Sequence, residues 1–206
     1  MSPTATAILD AARGALLETG YASLSTRKVA ERAGVPLSQI HYHFGSKENL
    51  VLELLDTENA KLVGRQAAMY AGDEPLAVQW VRACDYLDDD LASGYVRILH
   101  ELLAAGLSHE VIGKRVRAML DAWGAVLTEA FASHEARGVD FSPFTVPQLA
   151  ALASASFLGA EAIILAGQED DTLPVRDALR AVGALIATAE AAAASSASTT
   201  PAGARS

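Results

Sequence analysis

The chain has 206 residues, of which 51% are hydrophobic and 20% are charged, and it contains one cysteine. This composition excludes a disordered protein and a disulfide-rich scaffold, and it suits one large or two small globular domains. One cysteine and no recognisable secretory signal predict a protein of the reducing cytoplasm. Charged residues interrupt nearly every apolar stretch, so we expect no membrane-spanning helix; the nearest exception, residues 146–168, carries Gln148 and Glu161.

The charged residues are unevenly distributed. The 16 Lys and Arg residues oppose 25 Asp and Glu residues, for a net charge of −9. This balance argues against a protein that coats nucleic acid nonspecifically. Residues 1–47, however, hold five basic and only three acidic residues. The basic surplus therefore lies at the amino end.

Apolar residues recur at spacings of three and four along the chain, and β-branched residues almost never alternate with polar ones, so the sequence predicts an all-α protein. About nine helices are expected, and glycine, proline and acidic turns separate them. Their approximate ranges are 4–18, 25–33, 37–44, 47 to beyond 62, 76–91, 95–105, 108–137, 146–168 and 175–191.

Three segments follow from this pattern. Residues 1–47 are expected to form an amino-terminal domain of three helices, and residues 48–194 a larger helical domain. Residues 195–206 are small, polar and low in complexity, which predicts a disordered tail.

Residues 26–50 read TRKVAERAGVPLSQIHYHFGSKENL. Two short helices joined by a glycine turn are typical of a helix-turn-helix. Ala30 is small where the two helices would cross, and Gly34 permits the turn between them. Three apolar residues are expected to face the core: Val35, Ile40 and Phe44. The rest of the second helix is then free to meet a DNA major groove.

This segment resembles the TetR family of transcriptional regulators over about residues 8–55. The residues at that family's spacing are Thr26, Ala30, Ala33, Gly34, Val35, Ile40, Tyr42, Phe44, Lys47 and Leu50. Beyond them the chain resembles the family only in length and helical order. The resemblance implies that residues 1–47 are a helix-turn-helix DNA-binding domain and that residues 48–194 are an effector-binding and dimerisation domain. It further implies a homodimer that binds a palindromic double-stranded DNA operator and releases it when a small molecule occupies the larger domain.

The resemblance also implies roles for individual residues. Thr26 and Arg27 would hold phosphate or reach a base edge, and His43 and Lys47 would contact the DNA backbone. Bases would be read, or the groove wall packed, by Leu37, Ser38, Gln39, His41 and Tyr42. The chain departs from the common family pattern at Leu37, where a small or cationic residue is usual, and at His41, where tyrosine is more frequent. An exposed Leu37 would be able to contact a thymine methyl group, which implies an unusual target sequence.

An effector pocket is expected among the middle helices, because two tryptophans and a carboxylate interrupt an alanine- and leucine-rich bundle. Ordinary core packing is the alternative for these residues, and Glu161 has the further alternatives of solvent or a dimer partner. A cationic or hydrogen-bonding ligand would suit Glu161. The candidate residues are Trp80, Cys84, Tyr86, Tyr95, Ile98, Leu102, Trp123, Leu127, Phe157 and Glu161.

The last two long helices are rich in alanine and glycine, and they carry the most regular apolar stripe of the chain. Pairing across a two-fold axis would bury that stripe in a four-helix bundle. The candidate dimer residues are Leu149, Leu152, Phe157, Ile163, Ile164, Leu179, Val182 and Ile186.

Other readings have less support in the sequence. Paired catalytic carboxylates, a nucleophile elbow and a phosphate-binding glycine loop are missing, so we expect no enzyme, cofactor or metal. His41 and His43 are two apart on a helix, which points them to different faces and disfavours shared metal ligation. Cys84 is more simply core than a redox sensor. The alternative functions are a helical enzyme or scaffold that uses the helix-turn-helix only for localisation, and an architectural protein without an effector.

Overall fold

The computed structural model describes residues 1–198, with side chains described as far as Ser195. Within that part the chain forms nine α-helices and no β-strand, so the predicted all-α class is confirmed. In chain order the helices are α1 (Pro3–Ser23), α2 (Thr26–Ala33), α3 (Leu37–Phe44), α4 (Lys47–Tyr70), α5 (Leu76–Ser93), α6 (Tyr95–Gly106), α7 (Glu110–Ala136), α8 (Val146–Leu165) and α9 (Val175–Ser198).

Two compact units divide the chain, and each draws on separate stretches of sequence. The first unit contains Met1–Gly64 and Asp90–Asp121, and the second contains Arg65–Asp89 and the described residues from Ala122 onward. The first unit is thus larger than the predicted segment 1–47, because it also includes most of α4, all of α6 and the first part of α7.

Helix α1 is broken at Gly20, where the sequence predicts its end. Gly20 has φ +72° and ψ 169°, a conformation that glycine adopts without the steric cost that a Cβ would bring. A short helical segment then continues to Ser23. At the other end, the hydroxyl of Ser2 accepts a hydrogen bond from the backbone N–H of Ala5 at 3.2 Å, which caps the helix.

The core of the first unit forms where α1 packs against α2, α3 and α6. The predicted apolar face of α1 is buried, because its residues recur at the spacing of a helical stripe. The largest fully buried side chains of this unit are Ile8, Leu16, Val29, Ile40, Leu50, Leu55, Ile98, Leu102 and Ile112.

In the second unit, α8 packs against α9. Thr145 and Gln148 form a capping box at the start of α8, with Thr145 N donating to Gln148 Oε1 at 2.9 Å.

Helices α8 and α9 are long and apolar enough to cross a membrane by length and composition alone. Only 22% of the most apolar segment of α8 and 11% of that of α9 are buried within the chain. Helix α9 is thus a second long apolar stretch beside residues 146–168, because its alanine-rich sequence holds few charged residues.

The predicted tail is also corrected at its start. Helix α9 continues to Ser198, so residues 195–198 are helical rather than disordered. Alanine favours helix strongly enough to carry α9 through the first serines. Residues 199–206 lie outside the described part of the chain.

Candidate DNA-binding surface and effector region

The turn between α2 and α3 is built on Gly34. Its φ of +68° and ψ of +30° are the left-handed conformation that favours glycine at the end of a helix. The N–H of Val35 donates to the carbonyl of Ala30 at 3.0 Å, which closes the turn. Ala30 is buried as predicted, and Ile40 on α3 is fully buried. These contacts fix α3 on α2 and leave its other face outward.

The candidate DNA-binding residues differ in exposure. Tyr42 has 80% of its surface exposed. Three more are exposed: Arg27, Ser38 and His41. The remaining five are half-buried: Thr26, Leu37, Gln39, His43 and Lys47. An apolar Leu37 on this surface is partly covered, so less of it is available to a thymine methyl group than the sequence suggests.

Helix α2 adds two findings to the sequence analysis. Its N-cap residue is Ser25, but in the described structure the Ser25 side chain makes no capping hydrogen bond. Lys28 is exposed beside Arg27 in the first turn and was not among the predicted residues. Its charge and its position next to Arg27 are the signals that point to it.

Lys47 is held within the first unit. Its Nζ donates a 2.7 Å hydrogen bond to the carbonyl oxygen of Tyr21, and it lies 4.4 Å from the centroid of the Tyr21 ring. The N–H of Tyr21, freed from the helix by the break at Gly20, donates to Oε2 of Glu101 on α6 at 3.1 Å. Tyr21 thus joins the start of α4 to the end of α1 and to α6.

The candidate effector residues do not form one group. Tyr95, Ile98 and Leu102 lie in the first unit, where all three are buried and the Tyr95 hydroxyl donates to Asn59 Oδ1 at 3.3 Å. The other seven lie in the second unit: Trp80, Cys84, Tyr86, Trp123, Leu127, Phe157 and Glu161.

Three of those seven form an aromatic cluster. The Phe157 ring centroid lies 5.4 Å from that of Trp80 and 6.4 Å from that of Trp123. Trp80 is buried, and its indole N–H donates to the carbonyl of Leu179 at 2.7 Å. Interaction of this kind between rings is favourable beyond the area that it buries. The cluster positions α5, α7, α8 and α9 in the second unit.

Cys84 is buried, and burial raises the pKa of its thiol to about 11. The thiol is therefore protonated at neutral pH, and a thiolate is the reactive form of cysteine. This agrees with the sequence interpretation of Cys84 as a core residue.

A cavity of about 390 Å³ lies in the second unit, between the end of α4 and α7. Its lining contains none of the residues predicted to bind an effector: it is formed by Ala67, Tyr70, Ala71, Ala125, Val126, Glu129, Ala130 and Ser133. The sequence analysis missed it because five of these residues are alanine or valine, which periodicity assigns to ordinary packing.

A buried polar cluster in the second unit was also missed. Gln79 donates through Nε2 to the carbonyls of Met69 and Gly72 at 3.3 and 3.0 Å, and thus satisfies the end of α4. Its Oε1 lies 3.1 Å from Nε2 of His134, which is 3% exposed. Nδ1 of His134 lies 3.8 Å from Oε1 of Glu190. Burial, followed by the charge of Arg137, lowers the pKa of His134, while Glu190 acts against this.

The candidate dimer residues differ in how far they are buried within the chain. Phe157 and Leu179 are buried inside the second unit, so the core, rather than an outer face, holds their side chains. Leu152 is exposed, and the remaining five are half-buried: Leu149, Ile163, Ile164, Val182 and Ile186. Two exposed leucines on α8 and α9 were not predicted, Leu165 and Leu185, and 72% of Leu185 is exposed.

Within the described residues, no three or more His, Cys, Asp or Glu side chains form a group that could hold a metal ion.

Residues 8–54 match the family model of bacterial regulatory proteins of the tetR family. No curated protein matches the chain. A TetR-family transcriptional regulator from Rhodococcus sp. has a solved structure that is 22% identical, with a TM-score of 0.76 over 90% of this chain and 99% of that one.

Two further solved structures contain ligands. A transcriptional regulator from Saccharomonospora viridis in complex with choline is 21% identical, with a TM-score of 0.72 over 87% of this chain and 94% of that one. FadR from Bacillus subtilis in complex with stearoyl-CoA is 15% identical, with a TM-score of 0.67 over 86% of this chain and 96% of that one.

The fold and the α2–α3 geometry define an all-α helix-turn-helix protein. More specifically, the chain carries the amino-terminal domain of the tetR family and has the fold of TetR-family transcriptional regulators. The resemblance inferred from its sequence is confirmed.

Proposed function

We propose that the chain is a cytoplasmic, one-component transcriptional regulator that represses by binding a palindromic operator as a homodimer, and that a small molecule releases it. The observation that carries the proposal is the outward face of α3, held on α2 by the Gly34 turn in a chain whose residues 8–54 match a family of DNA-binding regulators. Tyr42, Ser38 and His41 on that face are exposed, so they would be free to enter a major groove.

Dimerisation is supported by the apolar surface of α8 and α9. Leu152, Leu165 and Leu185 are exposed on two helices whose apolar windows are mostly unburied within one chain. Large exposed apolar patches are typical of interaction sites. A second copy of the chain would cover this face, and two copies would place two α3 helices on half-sites one DNA turn apart, about 34–36 Å.

Release by a small molecule is supported by helix α4, which runs from the helix-turn-helix into the second unit. Helix α4 begins at Lys47, beside the helix-turn-helix, and its last residues belong to the second unit, where they line the 390 Å³ cavity. A ligand changes operator affinity only if it binds the DNA-competent and DNA-incompetent states with different affinities. We expect the effector to favour a state in which α4 holds the two α3 helices at the wrong separation.

Selection of bound duplexes from a genomic DNA pool tests the proposal. We expect one palindromic sequence to be enriched, with half-sites about one helical turn apart. A Tyr42→Ala, Gln39→Ala double variant is the control, since it changes only the outward face of α3 and should lose the enrichment while keeping its melting temperature. A folded wild-type protein that enriches no sequence would contradict operator binding. Equal operator affinity with and without a saturating ligand would contradict release.

A further inference from the structure

The start of α4 is connected to α6 through one residue of α1. Within the first unit, Nζ of Lys47 donates to the carbonyl oxygen of Tyr21 at 2.7 Å, and the N–H of Tyr21 donates to Oε2 of Glu101 at 3.1 Å. The two hydrogen bonds lie on the two sides of Tyr21. Glu101, which is 80 positions away from Tyr21 in the sequence, is therefore linked to Lys47 without a printed contact between their own side chains.

The carboxylate of Glu101 packs directly against Gly20. A Cβ added to Gly20 would lie 3.0 and 3.1 Å from the two carboxylate oxygens, closer than ordinary van der Waals contact. The φ of +72° at Gly20 breaks α1, so the N–H of Tyr21 needs an acceptor outside the helix. An ionised carboxylate is a stronger acceptor than a neutral group. Glu101 therefore fixes the backbone on the amino side of Tyr21.

The ring and the carbonyl of Tyr21 are held on their other sides as well. Tyr21 is 7% exposed, and its carbonyl also accepts the N–H of Leu24 at 3.3 Å. The ring of His109 meets the Tyr21 ring edge-on, with 6.1 Å between centroids. Nζ of Lys47 lies 4.4 Å from the Tyr21 ring centroid. Because a carbonyl oxygen and an aromatic face both attract a cation, Tyr21 holds the ammonium group at two points.

This contact leaves Lys47 able to bind a DNA phosphate. An ammonium group has three N–H donors, and the carbonyl of Tyr21 takes one of them. The Lys47 side chain is half-buried, so part of it reaches solvent. A lysine whose rotamers are already restricted loses less conformational entropy when it binds. Its contact with Tyr21 therefore prepares Lys47 for binding.

We propose that Glu101 is a positioning residue for DNA binding: it fixes Tyr21, and Tyr21 holds the ammonium group of Lys47 toward a DNA phosphate. The proposal rests on the function proposed above and adds to it a residue of α6 that acts on DNA only through Lys47. A role in stability alone would leave the DNA affinity of the folded protein unchanged. Positioning makes the effect of Glu101 on DNA affinity depend on Lys47.

Glu101→Met and Glu101→Gln form the matched test. Both remove the same negative charge, but only glutamine keeps an oxygen that accepts the N–H of Tyr21. At about 0.1 M salt, Glu101→Met should bind operator and random DNA roughly five- to tenfold more weakly than Glu101→Gln, with a salt slope shallower by about one. Equal binding by the two variants would overturn the proposal. Tighter binding by Glu101→Met would also overturn it, since Tyr21 would then hold Lys47 away from DNA.

The same pair of variants in a Lys47→Ala background separates positioning from a general structural effect. Without the ammonium group, Glu101→Met and Glu101→Gln should bind DNA with affinities within about twofold of each other, because interacting residues are not additive. All affinities are measured far below the melting temperature of each variant, so that every protein is folded. A difference of fivefold or more in this background would show that Glu101 acts on other DNA contacts, and would overturn the proposal.

A third measurement needs no DNA. The chain has four lysines, so nuclear magnetic resonance of protein with isotope-labelled lysine gives few signals, and Lys47→Ala identifies the one from Lys47. The Tyr21 ring should shift the signal of the Lys47 Cε protons. We expect Glu101→Gln to keep this ring shift and Glu101→Met to lose it. A shift that survives in Glu101→Met would overturn the proposal.

These outcomes separate the positioning role from the proposed function. An enriched operator together with a Lys47 signal that Glu101→Met leaves unchanged would overturn the positioning role alone. A chain that enriches no operator would overturn the proposed function, and the ring shift would still report whether Glu101 positions Lys47 on Tyr21.

Discussion

The ammonium group of Lys47 donates a 2.7 Å hydrogen bond to the carbonyl oxygen of Tyr21 and lies over the Tyr21 ring. The first residue of α4 is therefore bonded to the end of α1, next to the break at Gly20. Under the proposed function Lys47 has two roles. It holds the start of α4 on Tyr21, and it lies where the resemblance implies a contact with DNA phosphate.

Lys47→Ala should therefore lower both stability and DNA affinity. Loss of the hydrogen bond to Tyr21 should cost about 1–2 kcal/mol of unfolding free energy. Affinity should fall equally for operator and random DNA, with the salt slope shallower by about one, as for one lost phosphate contact. Lys61→Ala, on the exposed surface of α4, is the control and should change neither. Relaxation at a single base position would contradict the phosphate role.

Gln39→Ala, unlike Lys47→Ala, should change the sequence preference of the protein rather than its affinity for all DNA. Gln39 is half-buried on α3 next to the exposed Ser38, and a glutamine amide pairs with the edge of adenine in the major groove. We expect the variant to relax base preference at one or two operator positions, at a cost of about 1–3 kcal/mol for the preferred base. Sequencing of selected duplexes measures this. If the base preference is unchanged and binding is weaker for every sequence, Gln39 contacts the DNA backbone rather than a base.

Leu185→Asp tests the proposed dimer face. Leu185 is 72% exposed on α9, so an aspartate there costs one chain little, whereas burial of its unpaired charge against a second chain should weaken dimerisation by at least about 100-fold. Sedimentation velocity should show monomers. Leu107→Asp is the matched control, because Leu107 is 90% exposed after α6 and lies outside α8 and α9. Dimers that survive Leu185→Asp would place the interface elsewhere.

His134 should make stability depend on pH. Its pKa is lowered in the folded state by burial and by Arg137, against the opposing charge of Glu190, so the folded protein favours the neutral ring. Its contribution is complete above the ordinary pKa of 6.5 and is lost as pH falls from 6.5 through the lower folded value. Unfolding by urea at pH 7.5 and 5.5 should show the loss. His134→Gln keeps a neutral group for Gln79, and its stability should change less between these pH values; an equal change would assign the effect to other groups.

Cys84 should react slowly with alkylating reagents. With a pKa of about 11, only about one thiol in a thousand is ionised at pH 8. We expect iodoacetamide to modify the native protein at least roughly 100-fold more slowly than the urea-unfolded protein. Mass spectrometry of timed samples measures both rates. Similar rates would show that the thiol is accessible in the native state.

The sequence predicts the helices and the helix-turn-helix well, because these features depend on local signals. Gly34 and the spacing of Ile40 specify the turn and the buried face of α3 within twenty residues of chain. Gly20 and Gly94 likewise mark breaks in the helical pattern, since both have positive φ values in the structure.

Sequence reasoning fails where the partner of a residue is distant along the chain. An apolar stripe does not tell whether its residues meet their own chain or a second one, so Phe157 and Leu179 were grouped with exposed Leu152. Polar residues such as Gln79 and His134 carry no periodic signal, and their contact spans 55 positions. The sequence does not distinguish one lysine from another, and only the fold shows that Lys47 contacts Tyr21.

A side chain of helix α9 caps the amino-terminal turn of helix α5. The backbone N–H groups of Leu76 and Ala77 donate to the carboxylate of Glu190 at 2.7 and 3.2 Å. Glu190 follows Leu76 by 114 residues. During synthesis these two bonds can form only after Glu190 has been made, so the amino-terminal turn of α5 waits for the later helix α9.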